Sequence, residues 1–261
     1  MVHIDGLKKV FHPGTADEKV AVDDISLNIP GGEFVTVIGS NGSGKTTLLN
    51  LLDGTLFADA GKIFIHGTEV TKIPEHKRAR YLGRIFQNPL MGTAASMTIE
   101  ENLGMADLRG RPRGLRWGVS RGRQAYHLEM LKMMELGLED RMKQSVSLLS
   151  GGQRQSLTLI MATLSMPKLL LMDEHTAALD PKTAARVMVL THKIITENGL
   201  TAIMVTHNMD QAIRFGNRLI MLHEGRVQLD IKGAEKEAFT VEEAVRRFGN
   251  TLKDETLLGA A

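Results

Sequence analysis

The central segment of this sequence reads Gly39-Ser40-Asn41-Gly42-Ser43-Gly44-Lys45-Thr46-Thr47. One apolar run at 34–38 precedes it and another at 48–52 follows it, a pattern that predicts a buried strand, a glycine-rich turn and a helix. Glycines in such a turn accept positive φ and place no Cβ between the backbone amides and an anion. The N–H groups of the first helical turn add donors and the positive end of the helix dipole. The segment is therefore predicted to bind phosphate groups.

The same segment fills all fixed positions of the P-loop pattern in the strand-to-helix context that this pattern requires. Lys45 is predicted to reach the terminal phosphates of a nucleoside triphosphate, and the Thr46 hydroxyl to ligate Mg²⁺. The alternative is a flexible Gly/Ser loop that carries a lysine by chance. The flanking strand and helix favour the phosphate site over that alternative.

Composition limits the classes of protein to consider. The 261 residues include 32 Lys+Arg and 30 Asp+Glu, and the resulting net charge of +2 does not favour extensive nucleic-acid binding. There is no cysteine, so a reducing compartment is compatible with this chain. The first residues lack a basic region followed by an apolar core, and no run approaches the roughly 18 apolar residues that span a bilayer. We expect a cytosolic protein that can dock on a membrane partner.

Alternating strand and helix patterns predict an α/β fold with a doubly wound, mostly parallel sheet, in which ligands bind at strand ends. Mixed alternation at 2–10 and 21–29 predicts an N-terminal antiparallel pair of strands. Composition changes near residue 89, where the pattern becomes helical and richer in Met and Arg. We therefore expect one domain per chain, without internal repeats. Its expected parts are a core of 1–88 and 163–231, an inserted α-helical subdomain at about 89–162, and a C-terminal tail at 232–261.

Two carboxylates end the second strongly apolar run, residues 169–174. Asp173 is predicted to hold Mg²⁺, because hard cations prefer oxygen ligands, and Glu174 to accept a proton from an attacking water. Exposed strand-end charges are the alternative interpretation. Gln87 and His207 each follow a predicted strand and could polarise water or touch the γ-phosphate. Neither residue would be convincing alone, because a single histidine is more often structural.

Three further features are notable, and two of them, Phe11 and a basic stretch, have open interpretations at this level. Phe11 lies at the first turn after a predicted strand, where its ring either stacks on an adenine base or belongs to the core. Ser150 is the predicted N-cap of a helix that begins Gly151-Gly152-Gln153. An irregular basic stretch is either a solvated loop or a surface near anionic lipid headgroups. That stretch contains Arg109, Arg111, Arg113, Arg116, Trp117, Arg121 and Arg123.

Taken in order, these motifs resemble those of the ATP-binding cassette (ABC) ATPases. The resemblance covers the chain from Phe11 to about residue 231, and its most specific element is Ser150-Gly151-Gly152-Gln153 between the helical segment and the acidic strand. The motifs in chain order are 39–47, Gln87, 149–153, 169–174, 178–180 and His207.

The resemblance implies roles for individual residues. Phe11 is similar to the aromatic residue that stacks on adenine, and Gln87 to the residue that senses Mg²⁺ and the attacking water. The turn at 150–153 is similar to the signature that caps the γ-phosphate of ATP bound to the opposite subunit. Asp180 resembles the carboxylate at the dimer contact, and His207 the switch residue that holds the γ-phosphate. ATP and Mg²⁺ are the implied ligands, bound in a head-to-tail dimer of two copies.

The same resemblance implies the cellular context. The chain is similar to stand-alone bacterial ATP-binding subunits of importers. Those subunits act with separate transmembrane permease subunits and a substrate-binding protein. We therefore expect the chain to drive import of an amino-acid-like small solute with ATP. It would do so while bound to its permease on the inner face of the cell membrane. The alternative is a soluble ABC ATPase acting on ribosomes or DNA, which usually carries two cassettes or a long coiled-coil insert. A GTPase or small-molecule kinase is disfavoured, because the chain lacks the Asn-Lys-x-Asp motif that reads guanine.

Two residues depart from the common family pattern. His175 stands where a proline usually follows the catalytic glutamate, and Thr163 replaces an arginine in the helix after the signature. Neither position has a catalytic role in the family, so we still expect an active ATPase.

Overall fold

The computed structural model describes residues 1–110 and 121–248. The strands are β1 (Val2–Phe11), β2 (Lys19–Ile29), β3 (Phe34–Ile38), β4 (Ala60–Ile65), β5 (Thr68–Glu69), β6 (Leu82–Ile85), β7 (Leu169–Asp173), β8 (Ala202–Val205), β9 (Arg218–His223) and β10 (Arg226–Lys232). The α-helices are α1 (Lys45–Asp53), α2 (Glu75–Arg78), α3 (Ile99–Asp107), α4 (Arg121–Lys132), α5 (Gly151–Thr163), α6 (Pro181–Glu197), α7 (Met209–Arg214), α8 (Ala234–Ala238) and α9 (Val241–Phe248).

The chain divides into two compact units, Met1–Arg78 with Asn198–Ala261, and Ala79–Glu197. The first unit contains an antiparallel sheet in the order β2-β1-β4-β5, which confirms the predicted N-terminal strand pair. It also contains four neighbouring strands in the order β10-β9-β3-β8, in which β3 runs parallel to both β8 and β9. All five residues of β3 are buried, as expected for a strand covered on both faces.

Arg78 fixes the carboxyl end of α1 within the first unit. This side chain is completely buried and donates to four backbone carbonyls. Nη1 contacts the carbonyl oxygens of Leu51 and Leu52, at 2.6 and 2.9 Å, and Nη2 and Nε contact those of Thr71 and Ile73. A guanidinium at the end of a helix satisfies carbonyls that have no partner inside the helix. Arg78 therefore anchors the helix that follows the phosphate loop.

The second unit combines the parallel pair β6 and β7 with helices. Thr98 caps α3 through a capping box with Glu101. Leu131, in α4, and Met134, which follows the end of α4 at Lys132, are buried in a helical core with Leu103, Val146 and Leu157.

The expected helical subdomain at about 89–162 lies inside the second unit, and its exact limits remain a prediction.

Most of the predicted basic stretch, including Arg111, Arg113, Arg116 and Trp117, lies outside the described residues. Of its described members, Arg123 donates from Nε to Asp107 at 2.6 Å, and partial burial lowers the pKa of Arg109. In the predicted tail, α8 and α9 are described and residues 249–261 are not. Within the two described ranges, none of the helices has the length and apolar character needed to cross a bilayer.

Candidate active site

The predicted phosphate loop joins β3 to α1 in the first unit, which confirms the strand, turn and helix. Gly39, Gly42 and Gly44 all have positive φ, at 152°, 78° and 102°. The loop also packs tightly against its neighbours: a Cβ on Gly39 would stand 2.2 Å from the Leu222 carbonyl oxygen, and one on Gly44 would stand 2.3 Å from that of Ala21. Only glycine fits these two positions without a backbone shift.

Lys45 is the first residue of α1 and is 6% exposed. Its ammonium donates to the carbonyl oxygens of Gly39 and Ser40, at 2.6 and 3.0 Å, so it lies inside the curve of the loop. Ser43 Oγ is buried in the same loop and has no hydrogen-bond partner among the described residues. Gly44 is the N-cap and has no side chain to cap the helix. A buried cation and a helix N-terminus without a side-chain cap fit a polyphosphate anion.

His207 emerges beside this loop, because β8 is the parallel neighbour of β3. Val205 pairs with Val37, and the N–H of Thr206 donates to the carbonyl oxygen of Val37 over 3.1 Å. The carboxyl ends of adjacent parallel strands meet at one edge of a sheet, so His207 and Gly39 leave the same edge. His207 is half-buried and stands two residues beyond the end of its strand.

Phe11 is the last residue of β1 and is partly exposed. The Lys9 ammonium lies 5.8 Å from the centre of its ring. The ring is therefore only partly buried, and the Lys9 ammonium lies over one of its faces.

Asp173 ends β7 in the second unit and is 8% exposed. Its Oδ2 accepts from Arg84 Nη2 over 3.1 Å, and Arg84 also lies over the ring of Phe86 at 5.2 Å. The sequence did not point to Arg84, which sits in a short apolar strand and gains its role only from the pairing of β6 with β7. Arg84 thus gives the buried carboxylate a cationic partner, and a carboxylate is the type of oxygen ligand that Mg²⁺ prefers.

Glu174 and Gln87 are brought together at the end of these two strands. Ile85 pairs with Met172, so each side chain lies two residues beyond a matched position. Gln87 Nε2 donates to Glu174 Oε2 over 3.3 Å. Glu174 has φ of 43°, a left-handed conformation that is costly for a residue with a side chain. The backbone thus turns sharply between the buried Asp173 and the half-exposed Glu174.

His175, which replaces the proline of the family pattern, is completely enclosed. Its Nε2 lies 3.2 Å from Thr191 Oγ1, whose own hydrogen is donated to the Val187 carbonyl. Burial lowers the pKa of His175 to about 4, so the ring is neutral near pH 7. This contact ties the turn that follows Glu174 to α6.

Ser150 is the N-cap of α5, as predicted. Gln153 N–H donates to Ser150 Oγ, and Ser150 N–H donates to Gln153 Oε1, at 3.3 and 3.1 Å. Gly152 is buried, and a Cβ there would meet Thr183 Cγ2 at 2.2 Å. The glycine therefore allows close packing of α5 on α6, whereas Ser150 and Gly151 remain exposed at the helix start.

Asp180 is exposed one residue before α6. Its Oδ1 accepts from the N–H of Thr183 over 3.1 Å. The hydrogen bonds from Thr183 lower the pKa of this carboxyl. Asp180 thus caps a helix, a structural role that its sequence motif did not predict.

The donors in each unit fit ATP or Mg²⁺ in chemical type. In the first unit, the loop offers a lysine and backbone amides for phosphate, and the Thr46 hydroxyl is an oxygen donor suited to Mg²⁺. In the second unit, the Asp173 carboxylate and the Gln87 amide oxygen are donors of the same type. The strand-turn-helix of the first unit and the acidic strand end of the second define a P-loop nucleotide-hydrolysing protein.

Comparison with known proteins establishes the family. The family model described as ABC transporter matches residues 22–177. A tyrosine transport ATP-binding protein from Clostridioides difficile is 45% identical over 249 residues, covering 95% of this chain and 98% of the relative. A phosphonates import ATP-binding protein from Frankia casuarinae is 36% identical, covering 88% of this chain and 89% of the relative. The chain belongs to the ABC transporter family.

Solved structures agree with this assignment. A dimeric ATP-binding cassette in a post-hydrolysis state, bound to ADP and Pi, is 32% identical and has a TM-score of 0.76. The match covers 89% of this chain and 98% of that one. The chain is therefore an ATP-binding ABC transporter ATPase that hydrolyses ATP, and the predicted fold class and enzyme class are confirmed.

Proposed function

We propose that this chain powers import of an amino-acid-like solute, as one of two identical ATPase subunits bound to a transmembrane permease on the inner face of the cell membrane. The observation that carries this proposal is the 45% identity to a tyrosine transport ATP-binding protein over almost the full length of both chains. A methionine import ATP-binding protein from Nocardia farcinica, 37% identical over 231 residues, supports the same solute class. A separate substrate-binding protein would select the solute.

Phosphate binding is assigned to residues 39–47. The Lys45 ammonium would transfer from the carbonyls of Gly39 and Ser40 to the phosphate oxygens, which are stronger acceptors because they are charged. Phe11 would stack on the adenine, and His207, at the same sheet edge, would donate to the γ-phosphate. Mg²⁺, when bound, would neutralise phosphate charge, and Thr46, Asp173 and Gln87 are the residues to hold it.

Hydrolysis is assigned to Glu174, which accepts a proton from the attacking water. The hydrogen bond from Gln87 holds the Glu174 carboxylate, and the ion pair with Arg84 keeps Asp173 in place. The contact between His175 and Thr191 limits the movement of the backbone that follows Glu174. These contacts orient the base before the reaction, which reduces the cost of reaching the transition state.

The signature turn at 150–153 is assigned to the ATP of the partner subunit. Ser150 and Gly151 are exposed at the start of α5, where N–H groups and the helix dipole favour an anion. Asp180, exposed before α6, belongs to the same proposed dimer contact. Binding of two nucleotides between two copies would favour a closed dimer, and hydrolysis would release it.

The test is affinity purification of the tagged chain from detergent-solubilised membranes, followed by reconstitution into vesicles with the recovered proteins. We expect a polytopic membrane protein to be recovered, together with ATP-dependent uptake of tyrosine or another amino acid. A Lys45→Ala chain should assemble but neither bind ATP nor drive uptake. Recovery of ribosomes or DNA without a polytopic protein would reject the transporter proposal and favour the soluble alternative.

A further inference from the structure

Lys19 is placed opposite Phe11 at the end of the first strand pair. It is the first residue of β2, and Phe11, the last residue of β1, is its register partner. The loop between them is closed by hydrogen bonds, including one from the N–H of Thr15 to the His12 carbonyl at 3.2 Å. Both side chains are therefore held at one end of a defined hairpin.

The start of β2 lies directly against the phosphate loop. A Cβ on Gly44 would meet the carbonyl oxygen of Ala21 at 2.3 Å, and a Cβ on Gly42 would meet Lys19 Nζ at 3.1 Å. Lys19 and Ala21 are two residues apart on a strand, so both lie on the same face of it. Because Ala21 contacts the loop at Gly44, the Lys19 ammonium reaches the same loop at Gly42.

The Lys19 ammonium is also available to an anion. Two other lysines of the same sheet have carboxylate partners: Lys8 lies 3.6 Å from Asp23, and Lys9 lies 2.9 Å from Asp59. Lys19 is exposed, and its ammonium has no hydrogen bond or ion pair to any residue in the described part of the chain. Its positive charge is therefore not neutralised locally.

From this geometry we infer that Lys19 is a second cation for the phosphate chain of the bound nucleotide, acting beside Lys45. The inference rests on the proposed role of residues 39–47 in phosphate binding. Hydrogen bonds between an ammonium and a phosphate oxygen are stronger than those between neutral groups. With Phe11 opposite, one strand pair would then contact both the base and the phosphates of the same nucleotide.

The experiment measures ATP, ADP and inorganic tripolyphosphate binding to the full chain, by competition with a fluorescent ATP analogue at low and high salt. Lys19→Gln should weaken all three about three- to tenfold at low salt, as expected for one lost charged contact at an exposed site. The loss should shrink at high salt, because mobile ions screen exposed charges. Tripolyphosphate has no base. A weaker affinity for tripolyphosphate therefore indicates a lost phosphate contact and not an indirect effect through Phe11.

Two variants serve as controls. Lys19→Arg keeps the charge and should bind ATP nearly as well as the wild type. Lys8→Gln removes a lysine from the same sheet that is paired with Asp23, and should leave tripolyphosphate binding unchanged. Wild-type affinity in Lys19→Gln, or a loss for ATP with none for tripolyphosphate, would overturn the inference. Failure of the proposed phosphate loop would look different, since Lys45→Ala would then bind ATP as the wild type does.

Discussion

Gln87 donates a hydrogen bond from Nε2 to Oε2 of Glu174 over 3.3 Å, and both residues lie two positions beyond a matched pair of parallel strands. Two side chains that are 87 residues apart in the sequence are thus aligned by strand register. This alignment provides a direct way to test whether they act as a unit.

Gln87→Ala should lower kcat about tenfold, with a much smaller change in KM, because it removes a contact that orients the proposed base. The same change in a Glu174→Gln background should have a smaller effect, since the carboxylate that Gln87 holds is already gone. The measurement is steady-state ATPase activity of the four proteins in a double-mutant cycle. Multiplicative effects of the two changes would show that the residues act independently.

Glu174→Gln should retain ATP binding while turnover falls about 10²- to 10⁴-fold, the range expected for loss of a general base. Because the bound ATP is then not hydrolysed, the closed dimer should persist. It should accumulate in the presence of ATP and be detectable by analytical ultracentrifugation. Glu197→Gln, an exposed change at the end of α6, is the matched control and should behave as the wild type. Near-normal turnover of Glu174→Gln would remove Glu174 from the proposed role.

Gly152→Ala should destabilise the protein by about 1–3 kcal/mol, the usual cost of overpacking. The new Cβ would stand 2.2 Å from Thr183 Cγ2, whereas Thr183 Cβ is 3.6 Å away. Adding Thr183→Ser, which removes Cγ2 alone, should therefore recover most of the lost stability in urea unfolding. Gly151→Ala is the control, because its Cβ would meet Leu179 at 3.7 Å, an ordinary contact. Failure of Thr183→Ser to recover stability would show that the clash is not the cause.

Lys236→Met should destabilise the first unit, because the buried ammonium donates to the carbonyl oxygens of Ile213, Phe215 and Gly216. We expect a loss of about 1–3 kcal/mol for the unpaired carbonyls. Burial lowers the pKa of Lys236 to about 8, below the 10.5 of an ordinary lysine. Between these pH values the unfolded chain binds more protons, so stability rises with pH.

The stability gap between wild type and Lys236→Met should therefore widen as pH rises from about 8 to 10.5, and stay constant below 8. Urea unfolding at several pH values measures this gap, and subtraction of the two proteins cancels the titration of other groups. Lys232→Met, an exposed change on β10, should show no such trend. A gap that narrows with pH would mean that the ammonium form is the one favoured by folding.

Local patterns predicted much of this protein from its sequence. The phosphate loop depends on glycine spacing and flanking apolar runs, and the N-cap at Ser150 depends on the residue type that directly precedes a helical run. Such features are complete within a few residues, so one sequence is sufficient to recognise them. The short helix α8, without a comparable pattern, was not predicted.

The contacts that support the site could not be predicted in the same way. Arg78 lies in a charged stretch that reads as exposed, yet it is buried under carbonyls of Leu51 and Leu52. Arg84 and Lys19 likewise depend on neighbours far away in the chain. A long cationic side chain gives no local signal of which surface it will reach, because that depends on the packing of whole elements.

The left-handed backbone at Glu174 has an evolutionary consequence. A residue with a side chain at φ of 43° carries strain of about 1–2 kcal/mol, which glycine would relieve. A mutant library selected for heat resistance alone should thus enrich glycine at this position and yield robust but inactive protein. Selection for transport, in contrast, should preserve the acidic residue and tolerate its unfavourable conformation.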